Sequence, residues 1–262
     1  MRFISHVLLI GSLAGCVVGG GEGKVARMSQ PVALSDLEKL GRELFFDATL
    51  SSPEGQSCAT CHDPGAGWTG PRSDINQGGG VYPGAVHTRF GNRKPPSAAY
   101  ATQSPPLHYD AEEELFLGGN FWDGRATGWL LGEPAAEQAQ GPFLNPVEHN
   151  LPDAATVVGK VCASPYADRF RAIYGTKICA NVVDAYNAIG QALFAYENST
   201  EVNAFSSKYD YYLADPVKYP LTEQELLGLQ LYEDENKGKC AECHPSEAGE
   251  DGAPPLFTDF SY

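Results

Sequence analysis

The spacing of polar and apolar positions predicts a capped helix near residue 40. Ser35 and Glu38 are three positions apart, which is the spacing of a capping box. The stretch 36–46 that follows is rich in residues that form helices well. Its apolar residues recur at helical spacing, at Leu37, Leu40, Leu44 and Phe45. We therefore expect one face of this helix to lie in a core.

The same pattern occurs a second time near the other end of the chain. Thr222 and Glu225 form a second capping box, which opens a predicted helix over 223–232. Both helices lead through a short turn into the sequence Cys-x-x-Cys-His, at 58–62 and at 240–244. We interpret the two copies as a weak internal repeat of one structural unit.

The long middle of the chain combines two helical stretches with one irregular stretch. Residues 153–174 and 181–198 show helical spacing and good helix formers. Residues 63–120 are rich in Gly, Pro and Asn, and so long a loop region is uncommon without a function or a large cofactor to pack against. No strand pattern of comparable strength occurs, so the predicted fold is all-α, with two units divided near 170–180.

The N-terminus predicts export. Residues 7–14 are mostly apolar but too few to span a bilayer, which indicates the apolar region of a signal peptide. Residues 13–16, Leu-Ala-Gly-Cys, resemble the lipobox of bacterial lipoproteins. We therefore expect a signal peptide at 1–15 and a tether at 16–34 that begins with a lipidated Cys16. The alternative is an ordinary signal peptide with a chance cysteine.

Composition narrows the classes of function. The 262 residues are 42 % hydrophobic, which is typical of a globular protein. The formal charge of −15 argues against nucleic acid as a partner. A basic redox partner would fit this charge, although acidic proteins commonly use charge for solubility alone. Val17 follows Cys16, and in lipoproteins this favours a periplasmic position at the outer membrane.

The two Cys-x-x-Cys-His sequences predict two covalently bound haems. Two thiols spaced in this way reach the two vinyl groups of one haem, and the next histidine becomes an axial iron ligand. The residues assigned to haem attachment are Cys58, Cys61, His62, Cys240, Cys243 and His244, with the two histidines on iron. The rival interpretations are zinc, which usually needs paired knuckles, and a thioredoxin-like dithiol, which needs a βαβ pattern.

Two further cysteines are left over. After Cys16 and the four haem cysteines are assigned, Cys162 and Cys179 remain of the seven. An even remainder in an exported protein predicts a disulfide, which would stabilise the fold by roughly 3 kcal/mol through loop closure. Two free thiols are the alternative.

Several short sequences between and after the haem motifs resemble one family, the bacterial di-haem cytochrome c peroxidases with the related MauG branch. They are 91–97 (GNRKPPS), 121–126 (FWDGRA), 138–148 (QAQGPFLNPVE) and 255–259 (PLFTD). Each is short, but their order around two Cys-x-x-Cys-His motifs is specific. The resemblance extends over 35–262 and implies two cytochrome c-like haem domains joined by long irregular loops.

The resemblance also implies roles for individual residues. The haem on His62 would be the peroxidatic one, and the haem on His244 would receive electrons from a donor. Trp122 matches the family's tryptophan between the haems, where an indole can relay electrons. Glu148 and Gln138 match the pair of the distal pocket, with Glu148 as acid and base and Gln138 orienting peroxide. Without the resemblance, Glu148 would be taken for a solvated loop charge and Trp122 for a core aromatic.

Some family features are less clear in this sequence. His87 lies near the place where relatives carry a removable sixth iron ligand, and a polar loop residue is the alternative. No sixth ligand of the second haem is visible, because the only methionines are Met1 and Met28. We therefore expect an N-terminal peroxidatic domain at 35–175 and an incomplete electron-transfer domain at 176–262. Calcium sites, which relatives have, stay open.

Three functions are compatible with these features. The first is a peroxidase that reduces hydrogen peroxide to water with electrons from a small periplasmic donor, either a cytochrome c or a cupredoxin. The second is a MauG-like di-haem oxidase that acts on a protein or organic substrate. The third is a di-haem electron carrier without catalysis, which would leave Gln138 and Glu148 without a role. The resemblance also implies a homodimer.

Overall fold

The structure is a computed structural model that describes residues 33–249 and 252–261, and it is helix-rich with little strand. The predicted signal peptide, the lipidation site at Cys16 and most of the tether lie outside the described residues. Within the described part, no helix combines the length and apolar character needed to cross a membrane.

The secondary structure consists of eleven described elements joined by loops and four short 3-10 turns. The helices are α1 (Asp36–Phe46), α2 (Cys58–Cys61), α3 (Ser73–Gln77), α4 (Pro134–Leu144), α5 (Ala154–Ala163), α6 (Ala167–Tyr174), α7 (Val182–Glu197), α8 (Lys208–Ala214) and α9 (Glu223–Glu233). The strands are β1 (His108–Asp110) and β2 (Leu115–Leu117). The 3-10 turns are Pro64–Ala66, Ala101–Gln103, Ile178–Ala180 and Cys240–Glu242.

Both predicted capping boxes are confirmed. At the start of α1, the Glu38 N–H donates to Ser35 Oγ at 3.2 Å, and the Ser35 N–H donates to Glu38 Oε2 at 2.6 Å. At the start of α9, the Glu225 N–H donates to Thr222 Oγ1 at 3.3 Å, and the Thr222 N–H donates to Glu225 Oε2 at 2.7 Å. Each box satisfies backbone N–H groups that have no partner inside the helix.

The core forms where α1 packs against α7. Leu40, Leu44 and Phe45 of α1 are at most 1 % exposed. Gly41 lets the two helices approach closely, because a Cβ atom there would collide with the main-chain oxygen of Ala192 on α7. The Phe45 ring meets the ring of Tyr196 edge-on, with the centroids 5.5 Å apart. Helix α4 packs on another face of α7 and completes this core.

The predicted all-α fold is corrected by one short antiparallel hairpin within the segment 63–120. Strands β1 and β2 pair with His108 opposite Leu117 and Tyr109 opposite Phe116. The rings of Tyr109 and Phe116 lie 5.2 Å apart, which supports the pairing. Only three residues of each strand pair, so the alternation is too short to be visible in the sequence.

The predicted helical stretch 153–174 is divided into α5 and α6. Ser164 is extended, with φ −70° and ψ 163°, because the residue before a proline is driven out of the helical region. The proline is Pro165. The other predicted stretch, 181–198, is one helix, α7.

The core crosses the predicted domain boundary between residues 175 and 176. Ala185, Ile189 and Leu193 of α7 are at most 1 % exposed and belong to the same buried cluster as the apolar face of α1. Cys162 and Cys179 are bonded to each other, with their Cα atoms 6.0 Å apart, and this disulfide also crosses the boundary. Helix α7 therefore packs with the N-terminal unit. The sequence alone did not show this, because the apolar face of α7 fits either unit.

Candidate active site

The first Cys-x-x-Cys-His sequence forms one helical turn followed by its histidine. Cys58 and Cys61 are the first and last residues of α2, and neither forms a disulfide. The His62 N–H donates to the Cys58 carbonyl oxygen at 2.9 Å, which closes the turn. The Ser57 N–H donates to Thr60 Oγ1 at 3.0 Å and fixes the start of the turn. Both thiols and the imidazole are thus held by local backbone geometry.

The His62 ring is oriented for iron ligation. Its Nδ1 lies 3.2 Å from the carbonyl oxygen of Trp68. A carbonyl can only accept, so Nδ1 carries the hydrogen and the lone pair of Nε2 is available to a metal. Burial lowers the pKa of His62, which favours the neutral ring that metal binding needs. Trp68 is itself 8 % exposed and belongs to the core, so the core orients the ligand.

The second Cys-x-x-Cys-His sequence has the same hydrogen-bonding arrangement in a more open setting. His244 Nδ1 lies 2.9 Å from the carbonyl oxygen of Phe257, which again leaves Nε2 available. The Tyr232 hydroxyl donates to the His244 carbonyl oxygen at 2.7 Å and ties α9 to the motif. Cys243 and His244 are exposed, whereas their counterparts in the first motif are half-buried.

The thiols of the first motif do not have the character of a reactive dithiol. Burial raises the pKa of Cys58, and it raises that of Cys61 to about 11, with a further contribution from the charge of Glu148. A thioredoxin-like dithiol needs the opposite shift, toward the thiolate. In the described part of the chain, no three His, Cys, Asp or Glu side chains come together as metal ligands. The donor sets fit two haems, each of which would be held by two thioether bonds and one imidazole.

Glu148 acts electrostatically on the thiols of the first motif. It is in the loop after α4, and its N–H donates to the Asn145 carbonyl oxygen at 3.0 Å. Its own carbonyl accepts from the N–H of Ala85 at 2.7 Å, which joins this loop to the segment before the hairpin. Burial raises the pKa of Glu148, while the positive charge of Arg125 and a hydrogen bond with Asn145 lower it in part. The charge of Glu148 in turn contributes to the raised pKa of Cys58 and Cys61.

Gln138 is half-buried on α4, a helix that the sequence did not predict. The preceding residue, Glu137, has a role that sequence reasoning missed. Its carboxylate accepts from the N–H groups of Leu130 at 2.6 Å and Gly128 at 2.9 Å. It therefore holds the turn before α4 against the helix that carries Gln138. Two features of the sequence could have predicted α4: Pro134, since proline is a favoured first residue of helices, and an acidic residue in the first turn.

His149, directly after Glu148, fixes the loop on which Glu148 stands. It is 3 % exposed, and its Nδ1 lies 2.6 Å from the Leu50 carbonyl oxygen. Its ring meets Phe143 edge-on at 5.3 Å. The side chain of His149 therefore fills the space between α4 and the loop after α1.

Trp122 and His87 are both exposed in the structure. Trp122 is 73 % exposed and lies in a turn where Asp123 binds Arg125 at 2.8 Å. His87 lines a surface groove of about 400 Å³ between two loop segments, 53–56 and 85–88. Both side chains lie on the surface of the part of the chain that the structure describes. The electron-relay role of Trp122 and the iron-ligand role of His87 therefore stay predictions.

Comparison with known proteins decides the family. The model of the di-haem cytochrome c peroxidase family matches residues 35–218. The chain belongs to this family. The match begins at the cap of α1 and includes the first haem motif together with Trp122, Gln138 and Glu148.

Individual relatives of this di-haem peroxidase family member include proteins of both branches. The methylamine utilization protein MauG of Paracoccus denitrificans is 36 % identical over 227 residues, which are 86 % of this chain and 55 % of the relative. The cytochrome c551 peroxidase of Pseudomonas aeruginosa is 31 % identical over 217 residues, 82 % of this chain and 51 % of the relative. The crystal structure of the dihaem peroxidase BthA from Burkholderia thailandensis superimposes with a TM-score of 0.76 at 33 % identity, over 90 % of this chain and 55 % of that one.

The family model describes cytochrome c peroxidases with two haems. The chain spans about half the length of these relatives. Their names include both peroxidase and MauG, so the family alone does not choose between the two activities.

Proposed function

We propose that this chain provides the peroxide site of a di-haem peroxidase that reduces hydrogen peroxide to water. The strongest support is the half-buried carboxyl group of Glu148, whose charge contributes to the raised pKa of the attachment cysteine Cys61. Reduction of one peroxide consumes two electrons and two protons and yields two waters. The protein must therefore move protons at this site as well as receive electrons.

Glu148 has the properties of the group that moves a proton between the two peroxide oxygens. Bound at Cys58, Cys61 and His62, haem would supply the iron chemistry that accompanies cleavage of the O–O bond. Glu148 would take the proton from one peroxide oxygen and deliver it to the other. Burial raises its pKa toward neutrality, which suits a group that both accepts and releases a proton. Gln138 would orient the peroxide with its side-chain amide.

The electrons would come from a small donor protein, a cytochrome c or a cupredoxin, through the haem on His244. The chain's formal charge of −15 favours a basic donor. Trp122 would then relay electrons between the two haems. Its exposed side chain can contact another group on the route of the electrons.

Steady-state peroxide reduction by haem-loaded protein tests this proposal. We expect Glu148→Gln to lower turnover with reduced cytochrome c by about 10²- to 10⁴-fold, the usual loss of a general acid and base. Glu247→Gln is the matched control, because Glu247 is an exposed carboxylate near the second motif, and it should stay within about twofold. Equal turnover of Glu148→Gln and wild type would refute the assignment.

The pH profile gives a second measurement on the same residue. Glu148 must be ionised to accept the proton, so turnover should fall as the pH drops through its raised pKa. This acid limb should be absent from the residual activity of Glu148→Gln. An identical limb in both proteins would assign it to another group.

A MauG-like oxidase is the second candidate function. It is favoured by the higher identity to MauG, 36 %, than to the cytochrome c551 peroxidase, 31 %. In this case the haem-loaded protein would oxidise a protein or organic reductant with peroxide and would turn over slowly with reduced cytochrome c. Comparing the two reductants under the same conditions distinguishes the candidates. An electron carrier would show no peroxide turnover with either.

We also propose a periplasmic position with a lipid anchor on Cys16 at the outer membrane, and two haem units within the chain. Mass spectrometry of the N-terminal peptide should show a lipidated Cys16, and Cys16→Ser should release the protein from membranes. A soluble wild-type protein with an unmodified N-terminus would contradict the anchor.

A further inference from the structure

A row of aromatic side chains leads from the first haem motif into the core and has no role in the proposed reaction. Trp68 and Tyr196 are 8 % and 0 % exposed, and their ring centroids lie 6.0 Å apart. The Phe45 ring meets both of them edge-on, at 5.8 Å and 5.5 Å. Aromatic rings at these distances are in contact. The three side chains therefore form a continuous packed path between the segment after the motif and helix α7.

The Trp68 end of this row is fixed at the first motif. Its carbonyl oxygen lies 3.2 Å from Nδ1 of His62 and also accepts from the N–H of Ala98 at 2.9 Å. The attachment cysteine Cys58 packs against the same buried cluster. Trp68 has a φ of 61°, a left-handed backbone conformation that is rare for a bulky residue and is concentrated at functional sites. The residue that orients the predicted iron ligand therefore also places an indole ring in the core.

The Tyr196 end of the row reaches the surface through its hydroxyl group. This hydroxyl donates to Glu201 Oε1 at 2.8 Å, and Arg42 Nε donates to the same oxygen at 3.0 Å. The Arg42 and Glu201 side chains are 52 % and 38 % exposed. A phenylalanine could fill the place of the Tyr196 ring, but only a tyrosine has the hydroxyl that joins the core to this surface carboxylate.

The ends of the row are the side chains that can give up an electron. Tryptophan and tyrosine are oxidised far more easily than phenylalanine, so Phe45 holds the other two rings in place. A phenol keeps its proton up to a pH of about 10, so Tyr196 needs a base that takes this proton as the electron leaves. The carboxylate of Glu201 is already hydrogen-bonded to the phenol and can act as this base.

We propose that Trp68 and Tyr196 form a relay through which a small phenolic reductant at the protein surface supplies electrons to the first haem site when no donor protein is bound. Tyr196 gives one electron to the site through Trp68 and one proton to Glu201. The reductant then returns the electron, and Glu201 returns the proton. Two such rounds, with two protons from water, reduce one peroxide to two waters. This inference rests on the proposed reaction with peroxide, and it adds a route separate from that of Trp122 between the haems.

Rapid-freeze electron paramagnetic resonance of the haem-loaded full chain tests the relay. After mixing with peroxide and no reductant, we expect a tyrosyl radical signal that narrows when the protein contains ring-deuterated tyrosine. Tyr196→Phe should lose this signal. Tyr186→Phe is the matched control and should keep it. Tyr186 is also on α7, but its hydroxyl donates to the carbonyl oxygen of Gln140, which is not a base for a phenol proton.

Two further variants test the routes of the electron and of the proton. Trp68→Phe keeps the backbone carbonyl that binds His62, and it should lower the yield of the tyrosyl radical. Glu201→Gln removes the base and should also lower this yield. Hydroquinone, added to the oxidised wild type as a small phenolic reductant, should remove the signal. An undiminished radical yield in Trp68→Phe or in Glu201→Gln, or a signal that hydroquinone leaves unchanged, would contradict the relay.

The test stays decisive if Tyr196→Phe fails to load haem or if peroxide is not reduced. In the first case the exposed Glu201 decides, because Glu201→Gln changes no buried side chain. In the second case peracetic acid replaces peroxide as the oxidant and is reduced to acetic acid and water. A radical with peracetic acid but no peroxide turnover would count against the peroxidase proposal and not against the relay. A wild type without a tyrosyl radical under both oxidants, an undiminished signal in Tyr196→Phe, or an equal loss in Tyr186→Phe would each overturn the relay.

Discussion

The helices that precede the two haem motifs, α1 and α9, have nearly the same sequence pattern but very different surroundings. Both begin at a capping box, and each has a Leu-Gly pair in its middle, at 40–41 in α1 and at 227–228 in α9. Helix α1 buries Leu40 completely, whereas Leu227 is 55 % exposed. In the part of the chain that the structure describes, α9 has no buried residue at all.

The difference in burial between α1 and α9 shows which features of the two units depend on neighbouring residues and which depend on residues far away in the sequence. The capping boxes, the helical turns and the histidine hydrogen bonds are local, and they occur in both units. Burial depends on a partner, and α1 has one in α7, which follows it by more than a hundred residues. The first motif therefore packs against a core, while the second is supported by α9 and the segment around Phe257.

The largest expected effect comes from removing an aromatic side chain from α1. Phe45 is 1 % exposed and meets both Trp68 and Tyr196, so Phe45→Ala should cost about 3–5 kcal/mol in the free energy of unfolding. The matched change in α9, Leu227→Ala, should cost less than about 1 kcal/mol because the side chain is half in water. Hydrogen exchange resolved by helix measures both. A loss in α9 as large as that in α1 would break the comparison and show that haem or another segment covers α9.

The paired glycines should respond with opposite signs. A Cβ atom at Gly41 would meet the Ala192 main-chain oxygen and Tyr196 Cβ, so Gly41→Ala should destabilise the first unit by about 1–3 kcal/mol. At Gly228 nothing lies within 4 Å of a Cβ atom, so Gly228→Ala should stabilise α9 by up to about 1 kcal/mol. Urea unfolding and hydrogen exchange of the two variants provide the test. Destabilisation by Gly228→Ala would mean that α9 has a close neighbour in solution.

The sequence predicted what depends on local spacing. The caps at Ser35 and Thr222 and the helices that follow them are confirmed to within one residue. The short sequences around the two Cys-x-x-Cys-His motifs, taken in their order, also indicated the family, whose model matches residues 35–218.

Features that depend on distant partners could not be predicted. Helix α4 continues past Gly141 and includes Pro142, two residues that argue against a helix, because its packing on α7 offsets their cost. The place of α7 in the first core depends on Gly41 and Gly190, whose small size matters only once their neighbours are known. The buried state of Glu197 follows from the same packing, and an acid at a helix end gives no signal of it.

The smallest expected effect is the loss of an N-terminal cap, and this effect should be equal in the two units. Ser35→Ala and Thr222→Ala each remove a hydroxyl that accepts from a backbone N–H in the first turn, at 3.2 Å and 3.3 Å. Each should cost about 1 kcal/mol of local helix stability, because cap strength depends on the first turn and not on burial. Amide exchange at Glu38 and Glu225 measures the loss, and Ser35→Thr and Thr222→Ser are the conservative controls. Equal losses would show that both helices form by the same local rule and differ only in their packing. If Thr222→Ala caused no loss of helix stability, α9 would lack a stable first turn in solution. The two helices would then differ in their first turn as well as in their packing.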